Sequence, residues 1–458
     1  MPTFTAEKMA TWTGGHWVGS PVSPLSGFTA DTRTLVAGQG FVALKTAQRD
    51  GHDFLAAAAA RGAVAVLVSQ PVPGSSLAQL VVPDPLRALQ RIAREHRREF
   101  NGTVIGVTGS VGKTSTKDLL GILLGGATHV LTTEGNLNNQ LGVPLTLTKL
   151  ETTRHAYAVI EAGISGPGEM APLAEMIEPD HSLLTLVAPA HLAGLGTLAG
   201  VAQEKALLLA ATRAGGLKVL PASAGQFEVL HTLVNALVLV PENENYSTGR
   251  GRSLKFKVTQ WPSKTEVTLG GERRFRLPRV SHGMAANAAL ALALAGELGV
   301  TASNLQLRIA NWLPSKWRGE WQEYGRAQVY CDFYNANPAS MLDALEAFQG
   351  KVGANLPRLY VLGCMEELGS AAGEYHQQVG RQIHLRPDDY LYVIGGSAAA
   401  LREGLLENGN AAEQIAVITD LQPVRVRLAD FSGAVFLKGS RRYQLETVLA
   451  DTAVSAAH

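Results

Sequence analysis

One glycine-rich stretch constrains the fold of this chain more than any other feature. Residues 106–115 read GVTGSVGKTS; the apolar segment 103–107 leads into them, and residues 114–124 predict a helix. Strand, glycine loop, Lys-Thr and helix in this order are typical of a phosphate-binding loop, where backbone N–H groups and the helix N-terminus hold phosphate oxygens. The stretch therefore predicts a nucleotide site in an α/β domain.

Individual residues of this loop have the properties that phosphate and magnesium require. Gly109 and Gly112 let the backbone approach phosphate oxygens, and Lys113 can reach the β- and γ-phosphates. The Thr114 hydroxyl can ligate Mg²⁺. The common pattern has a glycine at the position of Val107, so the glycine spacing differs from the usual form. A glycine-rich turn with an exposed lysine is the alternative explanation.

Length and composition bound the class of protein. The 458 residues exceed what one core usually holds, so we expect two or three domains. A formal net charge of +1 argues against a nucleic-acid partner. Cys331 and Cys364 have neither disulfide nor metal-ligand spacing, which suits a reducing cytoplasm. Residues 1–10 lack an apolar signal-peptide core and residues 284–298 are too few to span a bilayer, so we expect no membrane insertion.

Strands that alternate with helices indicate mostly parallel sheets in three successive units. Residues 1–98 have the pattern of a small α/β domain, residues 99–313 contain the phosphate loop, and residues 314–458 predict a Rossmann-like fold without a dinucleotide motif. The polar run 94–102 is a candidate domain boundary. The sequence KGSR at 438–441 is expected to open a helix, which is another place for an anion.

Three charged side chains follow strands of the central unit. Glu161 ends one predicted strand, His191 follows the next, and Lys205 lies on the helix after it. Because ligands of an open parallel sheet bind beyond the carboxyl ends of the strands, we expect Glu161 and His191 beside the phosphate loop. A carboxylate and an imidazole beside a triphosphate suit a divalent metal. Each residue taken alone also has an ordinary structural explanation: a solvated strand end, a structural histidine and an exposed helix lysine.

Together these features resemble the Mur ligase family of peptidoglycan synthesis. The resemblance covers nearly the whole chain and depends on several motifs in order: DTR, FVALK, DGHDF, TGSVGKTS, GNLNNQLGVPLTL, IEAGISGPGEM, DFYNANPASM, LGCMEELG and KGSR. It implies an N-terminal domain for a UDP-muramoyl substrate, a central ATPase and a C-terminal Rossmann-like domain for the amino substrate. It also implies a cytoplasmic, monomeric enzyme.

The resemblance implies a reaction as well. ATP would phosphorylate the terminal carboxylate of UDP-N-acetylmuramoyl-tripeptide (UDP-MurNAc-tripeptide), and the amine of D-Ala-D-Ala would attack the acyl phosphate to form an amide. The NANP core of the DFYNANPASM motif favours this dipeptide as the amino substrate. A carboxylate that attacks a polyanion needs cations to neutralise both groups.

Residue roles are implied by the same resemblance. Catalysis would depend on Lys113, Lys205, His191 and Arg318. ATP would be held by Gly109, Ser110, Gly112, Lys113, Thr114, Ser115, Asn287, Arg318 and Asp332. Two Mg²⁺ ions would be held by Thr114, Glu161, His191 and a carbamylated Lys205. Unmodified, Lys205 would repel the metal, whereas a carbamate is an anionic ligand. The two substrates would be contacted by Asp31, Thr32, Arg33, Asn138, Asn139, Tyr334, Asn335 and Asn337.

Four positions depart from the family pattern. Leu186 stands where the family usually has Asn, Gly283 where it has His, and Cys364 where it has Asp. Arg318 lies in Trp-Arg-Gly-Glu rather than after a glycine. The alternatives are therefore a Mur-type ligase with a different amino substrate, a plain phosphate-loop phosphotransferase or ATPase, and a degenerate nucleotide-binding protein without turnover. The sequence does not give the third residue of the accepted peptide.

Overall fold

Three β-sheets with helices packed on them make up the part of the chain that the computed structural model describes, residues 2–247, 249 and 251–450. The sheets have five, nine and six strands, and most neighbouring strands are parallel. The α/β class predicted from the sequence is confirmed. Within this part of the chain no helix has both the length and the apolar character needed to cross a membrane.

The first sheet is small and parallel except for one edge. Its strand order is β1-β5-β4-β3-β2, with β1 antiparallel to β5. The elements are α1 (Ala6–Thr13), β1 (His16–Val18), β2 (Phe28–Thr29), β3 (Gly40–Val42), α2 (Leu55–Ala60), β4 (Ala65–Val68), β5 (Ala78–Val81) and α3 (Pro85–Arg98). Asp84 begins α3 by accepting hydrogen bonds from the N–H groups of Leu86 and Arg87, which would otherwise lack partners at the helix start.

The second sheet has the order β14-β13-β12-β11-β10-β9-β6-β8-β7, parallel from β12 to β7 and antiparallel from β12 to β14. Its strands are β6 (Thr103–Thr108), β7 (Val130–Thr132), β8 (Tyr157–Glu161), β9 (His181–Leu184), β10 (Lys218–Pro221), β11 (Ala236–Pro241), β12 (Arg252–Gln260), β13 (Lys264–Leu269) and β14 (Arg273–Pro278). The helices are α4 (Lys113–Leu123), α5 (Gly142–Leu147), α6 (Met170–Ile177), α7 (Leu192–Leu195), α8 (Leu198–Ala210), α9 (Glu228–His231), α10 (His282–Glu297) and α11 (Ala302–Ile309). Residues 220–280 are rich in β-strands, and these strands extend the central sheet.

The third sheet is Rossmann-like, as the sequence predicts, with the order β15-β16-β20-β17-β18-β19 and one antiparallel edge strand. Its elements are β15 (Glu320–Tyr324), β16 (Ala327–Asp332), α12 (Pro338–Gln349), β17 (Arg358–Gly363), α13 (Ala372–Gly380), β18 (Tyr390–Ile394), α14 (Ala398–Glu407), β19 (Ile415–Ile418), α15 (Gln422–Asp430) and β20 (Ala434–Lys438). Asn337 and Ser340 form a reciprocal capping box at the start of α12.

Residues 94–98, in the polar run that is a candidate domain boundary, form the last turns of α3, where Arg97 is fully buried. The structure differs from the sequence prediction after β20. After β20, KGSR leads into two short 3-10 helices, Arg441–Tyr443 and Leu445–Leu449, rather than into the α-helix expected to hold an anion. The charge of Lys438 is instead directed to Asp332, 3.4 Å away.

Candidate functional site

A cleft of about 910 Å³ lies between the second and third sheets. It is bordered by the phosphate loop, by the segments that follow β8 and β9, and by the N-terminal end of α10. The segment before β15 and the segment after β16 close the opposite side. Of the residues predicted for the site, those that line the cleft are Ser110, Gly112, Lys113, Thr114, Ser115, Asn138, Asn139, Glu161, His191, Asn287, Arg318, Asp332, Tyr334, Asn335 and Asn337.

The phosphate loop has the backbone that its glycines make possible. Gly109 has φ +148° and Gly112 has φ +80°, in regions that side chains rarely adopt. A Cβ on Gly109 would lie 1.9 Å from Thr185 Oγ1, and one on Gly112 would lie 2.1 Å from Asn287 Nδ2. Both glycines are therefore required by close neighbours as well as by conformation, and the loop passes tightly beneath Asn287.

The segment after β9 fixes this loop by hydrogen bonds. Ser110 N donates to Leu186 O at 2.7 Å, and Ser110 Oγ donates to Ala188 O at 2.9 Å. Thr185 Oγ1 donates to Val111 O at 2.6 Å. Leu186 therefore supports the loop through its carbonyl group, a contribution that does not depend on its side chain.

Lys113 lies at the first turn of α4, folded back over the loop. Its Nζ donates to Gly109 O at 2.8 Å. Burial lowers the pKa of Lys113, the negative charge of Glu161 opposes this shift, and the positive charge of Arg318 adds to it. An anionic ligand in the cleft would favour the charged form of this lysine.

Glu161, at the end of β8, is buried at 1 % exposure and has an unsatisfied oxygen. Its Oε1 accepts from Asn138 Nδ2 at 2.8 Å, while Oε2 has no hydrogen-bond partner among the described residues. An unpaired buried carboxylate oxygen is costly in free energy, and a cation removes that cost. The residues therefore fit a divalent ion here, and Mg²⁺ is commonly held by one or two carboxylates plus substrate phosphates.

His191 lies in the segment after β9, and Lys205 lies further along the chain on α8. His191 has φ +55°, and its Nδ1 contacts the carboxylate of Glu367 from the third sheet. Lys205, on α8, is buried at 1 % exposure and lies outside the residues that line the cleft. Burial and then the charge of Lys113 hold the pKa of Lys205 well below its usual range. A neutral amine is the form that can react with carbon dioxide.

In the described part of the chain, no three His, Cys, Asp or Glu side chains form a cluster able to hold a metal by themselves.

The opposite wall of the cleft presents one cation to the phosphate loop. Arg318 Nη2 donates to Thr114 Oγ1 at 3.1 Å, a contact between residues 204 positions apart. The guanidinium group lies 4.1 Å from the centre of the Tyr334 ring. The structure thus brings Arg318, Tyr334 and the predicted magnesium ligand Thr114 together.

Asp332 and Lys438 form a buried pair at the ends of adjacent parallel strands, with Nζ and Oδ2 3.4 Å apart. Burial raises the pKa of Asp332, although Lys438 and Arg318 oppose the shift, and burial lowers the pKa of Lys438. Lys438 Nζ also donates to Asn335 O at 2.8 Å and so holds the loop that leads to α12.

The N-terminal residues of the predicted site lie outside the cleft. Asp31 accepts hydrogen bonds from the backbone and side chain of Arg33, which lower the pKa of Asp31 to about 2. Thr32 begins the short 3-10 turn Thr32–Thr34. Within the cleft, Asn139 Oδ1 accepts from Leu141 N and Gly142 N at the approach to α5, and the Asn337 side chain caps α12.

The comparisons with known proteins agree with this geometry. Residues 107–295 match the Mur ligase middle domain, and residues 317–441 match the glutamate ligase domain of Mur ligases. The chain is 31% identical over 453 residues to UDP-N-acetylmuramoyl-tripeptide–D-alanyl-D-alanine ligase of Escherichia coli (strain K12), with 98% of each chain covered. This chain belongs to the Mur ligase family.

Solved structures with the same fold include members of this family. The crystal structure of MurF from Acinetobacter baumannii has a TM-score of 0.85 and 27% identity, with 98% of both chains covered. MurF ligase from Thermotoga maritima in complex with ADP has a TM-score of 0.77 and 26% identity, covering 92% of this chain and 96% of that one.

Sequence reasoning missed two residues at the cleft of this Mur ligase. Asp343, on α12, accepts a hydrogen bond from Gly283 N at 2.7 Å, and a Cβ on Gly283 would lie 2.9 Å from Asp343 Oδ2. The absence of a side chain at Gly283 thus makes room for Asp343. Glu367 contacts His191, and the motif MEELG was the available signal for it. Asp343 has no signal, since it is an ordinary helix residue in the sequence.

Proposed function

We propose that this Mur ligase joins D-Ala-D-Ala to UDP-MurNAc-tripeptide and converts ATP to ADP and phosphate. The observation that carries the proposal is the single cleft in which the phosphate loop faces Arg318 and the residues 332–337. The relatives named for this reaction support the choice of substrates because the similarity extends over the full chain. A plain ATPase would leave the first and third units without a role.

The phosphate loop binds ATP and neutralises its charge. Lys113, the N–H groups of residues 109–115 and the N-terminus of α4 hold the β- and γ-phosphates. Arg318 compensates the charge that develops at the γ-phosphate, and Asn287 and Asp332 contact the rest of the nucleotide. The hydroxyl groups of Ser110 and Ser115 border the same loop.

Thr114, Glu161, His191 and a carbamylated Lys205 would hold two Mg²⁺ ions. When bound, the metal supplies Lewis-acid neutralisation of the phosphates and of the attacking carboxylate. Asn138 fixes the orientation of Glu161 by its hydrogen bond to Oε1. Lys205 is suited to carbamylation because its burial favours the neutral amine.

The substrate residues complete the proposal. Asp31, Thr32 and Arg33 contact the UDP-muramoyl end, with Asn138 and Asn139 nearer the peptide. Tyr334, Asn335 and Asn337 face the nucleotide or the amine. We assign residues 1–98, 99–313 and 314–458 to the substrate, ATP and amino-substrate domains, and place a monomeric enzyme in the cytoplasm.

Phosphate release from ATP and Mg²⁺ tests the function directly. The assay includes UDP-MurNAc-tripeptide and is run with and without D-Ala-D-Ala. We expect release to need both, with a product heavier by the dipeptide. Release that ignores D-Ala-D-Ala but responds to another amine would change the substrate, and nucleotide binding without release under any pairing would contradict the proposal. Lys113→Ala should abolish release, while Lys149→Ala, an exposed lysine paired with Glu134, should leave it unchanged.

The carbamate needs its own experiment. We expect Lys205→Ala to abolish turnover, and bicarbonate or a short-chain carboxylic acid to restore part of it by supplying the missing carboxylate. Carbon-13 NMR of wild-type protein in labelled bicarbonate should show a carbamate signal that the variant lacks. Lys218→Ala removes another buried lysine, on β10, and should keep both signal and turnover. Wild-type turnover in Lys205→Ala would refute the modification.

A further inference from the structure

Trp317, immediately before Arg318, has a backbone conformation that favours glycine. Its φ is +62°, and Gly319 two residues later has φ +79°. A residue with a side chain in this region carries a conformational cost and keeps it only when its surroundings hold it there. The left-handed turn directly beside Arg318 therefore needs a local cause.

Two hydrogen bonds hold the backbone of Trp317. Its N–H donates to Glu320 Oε2 at 3.1 Å, and its carbonyl oxygen accepts from Tyr334 N at 3.4 Å. The second bond ties the turn to the loop after β16. That loop also provides the Tyr334 ring on which the guanidinium group of Arg318 lies.

The indole ring of Trp317 is held by three further side chains. It lies 5.4 Å from the Phe333 ring, centre to centre, and the Arg441 guanidinium carbon is 5.0 Å from its centre. The Lys316 ammonium nitrogen is 4.8 Å away. Cations placed over an indole face are attracted by the ring electrons. The half-buried indole thus joins the turn to β16 and to the segment after β20.

We propose that Trp317 is a positioning residue that fixes the direction in which Arg318 points at the phosphate loop. The indole anchors a left-handed turn, and the turn sends the Arg318 side chain across the cleft to Thr114. This inference rests on the proposed function, since it gives Arg318 a part in binding the γ-phosphate. In this chain the bulky aromatic side chain of Trp317 supports Arg318.

Nucleotide binding separates positioning from simple loss of structure. We would measure binding of ADP and of a non-hydrolysable ATP analogue, each with Mg²⁺, to the full chain by titration calorimetry. Trp317→Ala and Trp317→Gly should bind the ATP analogue about tenfold more weakly, below the roughly 10²-fold that a misplaced catalytic group can cost. Affinity for ADP, which lacks the γ-phosphate, should stay within about twofold. Trp317→Phe keeps an aromatic ring and should retain most of the wild-type affinity for both.

Two comparisons make the result decisive. In an Arg318→Ala background, Trp317→Ala should cause no further loss of ATP-analogue affinity, because the tryptophan acts through the arginine. Trp261→Ala removes an indole that also has a lysine over its face, at 5.0 Å, but lies outside the cleft, and it should change neither affinity.

The inference is overturned if Trp317→Gly binds the ATP analogue like wild type, or if Trp317→Ala weakens ADP and the ATP analogue equally. The inference is also overturned if Trp317→Ala weakens binding of the ATP analogue by the same factor in the Arg318→Ala background as in the wild-type protein. Because calorimetry needs neither the tripeptide nor the dipeptide, a wild-type protein that binds nucleotide but fails the phosphate-release assay would refute the proposed substrates without touching this inference.

Discussion

The two junctions between the sheets of this molecule are built differently. Between the first and second sheets, Arg97 of α3 is fully buried, donating to Ile177 O and Glu178 O and pairing with Asp180 at 2.8 Å. Between the second and third sheets, the polar contacts around the cleft include single side chains that reach across it, such as Arg318 to Thr114. One junction is a buried ionic network, and the other is a set of separate contacts.

The first junction is reinforced by several arginines around one carboxylate. Glu178 pairs with Arg98 at 2.6 Å, with Arg213 at 3.1 Å and with Arg94 at 3.3 Å. Asp180 pairs with Arg213 as well as with Arg97. Charges that share partners in this way form a network, which contributes more than isolated surface pairs do.

Among the described residues, the side-chain hydrogen bonds and ion pairs at the cleft junction are not linked into a network. They include Arg318 with Thr114, Asp343 with Gly283, Glu367 with His191 and Ser315 with Asp118. Closure of domains around substrates needs a junction of this kind, because a buried network would have to be dismantled on every opening. From this difference we expect the first two units to stay together and the third to change its position against them when substrates bind.

The largest effect should come from the buried arginine. Arg97→Ala removes the donors of two carbonyl groups and a charge partner of Asp180, so we expect a loss of about 3–5 kcal/mol in the free energy of unfolding. Arg91→Ala, on the exposed side of the same helix, should cost less than about 1 kcal/mol. Urea unfolding of both variants measures this, and equal losses would show that the network does not hold the junction.

The second-largest effect is the stabilisation contributed by the Glu178 carboxylate, which should depend on pH. Burial acts to raise the pKa of Glu178, but hydrogen bonds from Arg98, Arg213 and Arg94 outweigh burial and lower it to about 2, against an ordinary value of 4.5. Because the folded pKa is the lower one, this stabilisation is complete above about pH 4.5 and is lost as the pH falls towards 2.

Glu178→Gln tests that dependence. The variant should be roughly 1–3 kcal/mol less stable than wild type at pH 7, and this difference should shrink between pH 4.5 and 2. Glu175→Gln, which removes a more exposed carboxylate paired with Arg94, should show little difference at either pH. A Glu178→Gln deficit that stays constant with pH would mean that its cause is not the charge.

How much of the fold could be predicted from the sequence depends on whether a feature has a local signal or rests on contacts that are distant along the chain. Strands β17 and β20 coincide with short apolar runs that have polar or glycine ends, which is a local signal in the sequence. β15 gave no such signal, since its sequence Glu-Trp-Gln-Glu-Tyr has neither an apolar run nor strict alternation and is half-exposed. The burial of Arg97 had no signal in its polar run, because its partners lie about 80 residues away in the sequence.

The residues of the candidate site also divide into those with a local sequence signal and those whose contacts depend on the packing of the sheets. Lys113, Thr114 and Glu161 could be placed from the sequence, because the ends of parallel strands and the start of a helix meet at one edge of a sheet. The contacts of Asp343 and Glu367 could not, since they depend on how the third sheet lies against the second. Lys205 was predicted by resemblance, but its burial behind the cleft came only from the structure.

A smaller effect on stability should come from Asp343, which lies on α12 and whose carboxylate contacts the start of α10. Its carboxylate accepts from Gly283 N, where the helix dipole favours a negative charge, so Asp343→Ala should cost about 1 kcal/mol. Gly283→Ala would place a Cβ 2.9 Å from Asp343 Oδ2 and turn that flexible side chain away. Urea unfolding of the two variants and their double mutant should give losses that do not add. Additive losses would mean that the contact is not what either substitution removes.

Glu367→Gln should lower the free energy of unfolding less than Arg97→Ala, Glu178→Gln or Asp343→Ala does. The Glu367 side chain is 55% exposed and its contact with His191 is a single one, so we expect a loss below about 1 kcal/mol that vanishes at high salt. The loop itself should stay in place, because Ala193 N donates to the backbone oxygen of Glu367 at 3.0 Å. Urea unfolding at low and high salt, with small-angle scattering of the unliganded protein, measures both points. A loss as large as that of Glu178→Gln would mean that the contact between Glu367 and His191 stabilises the cleft junction as strongly as Glu178 stabilises the first junction.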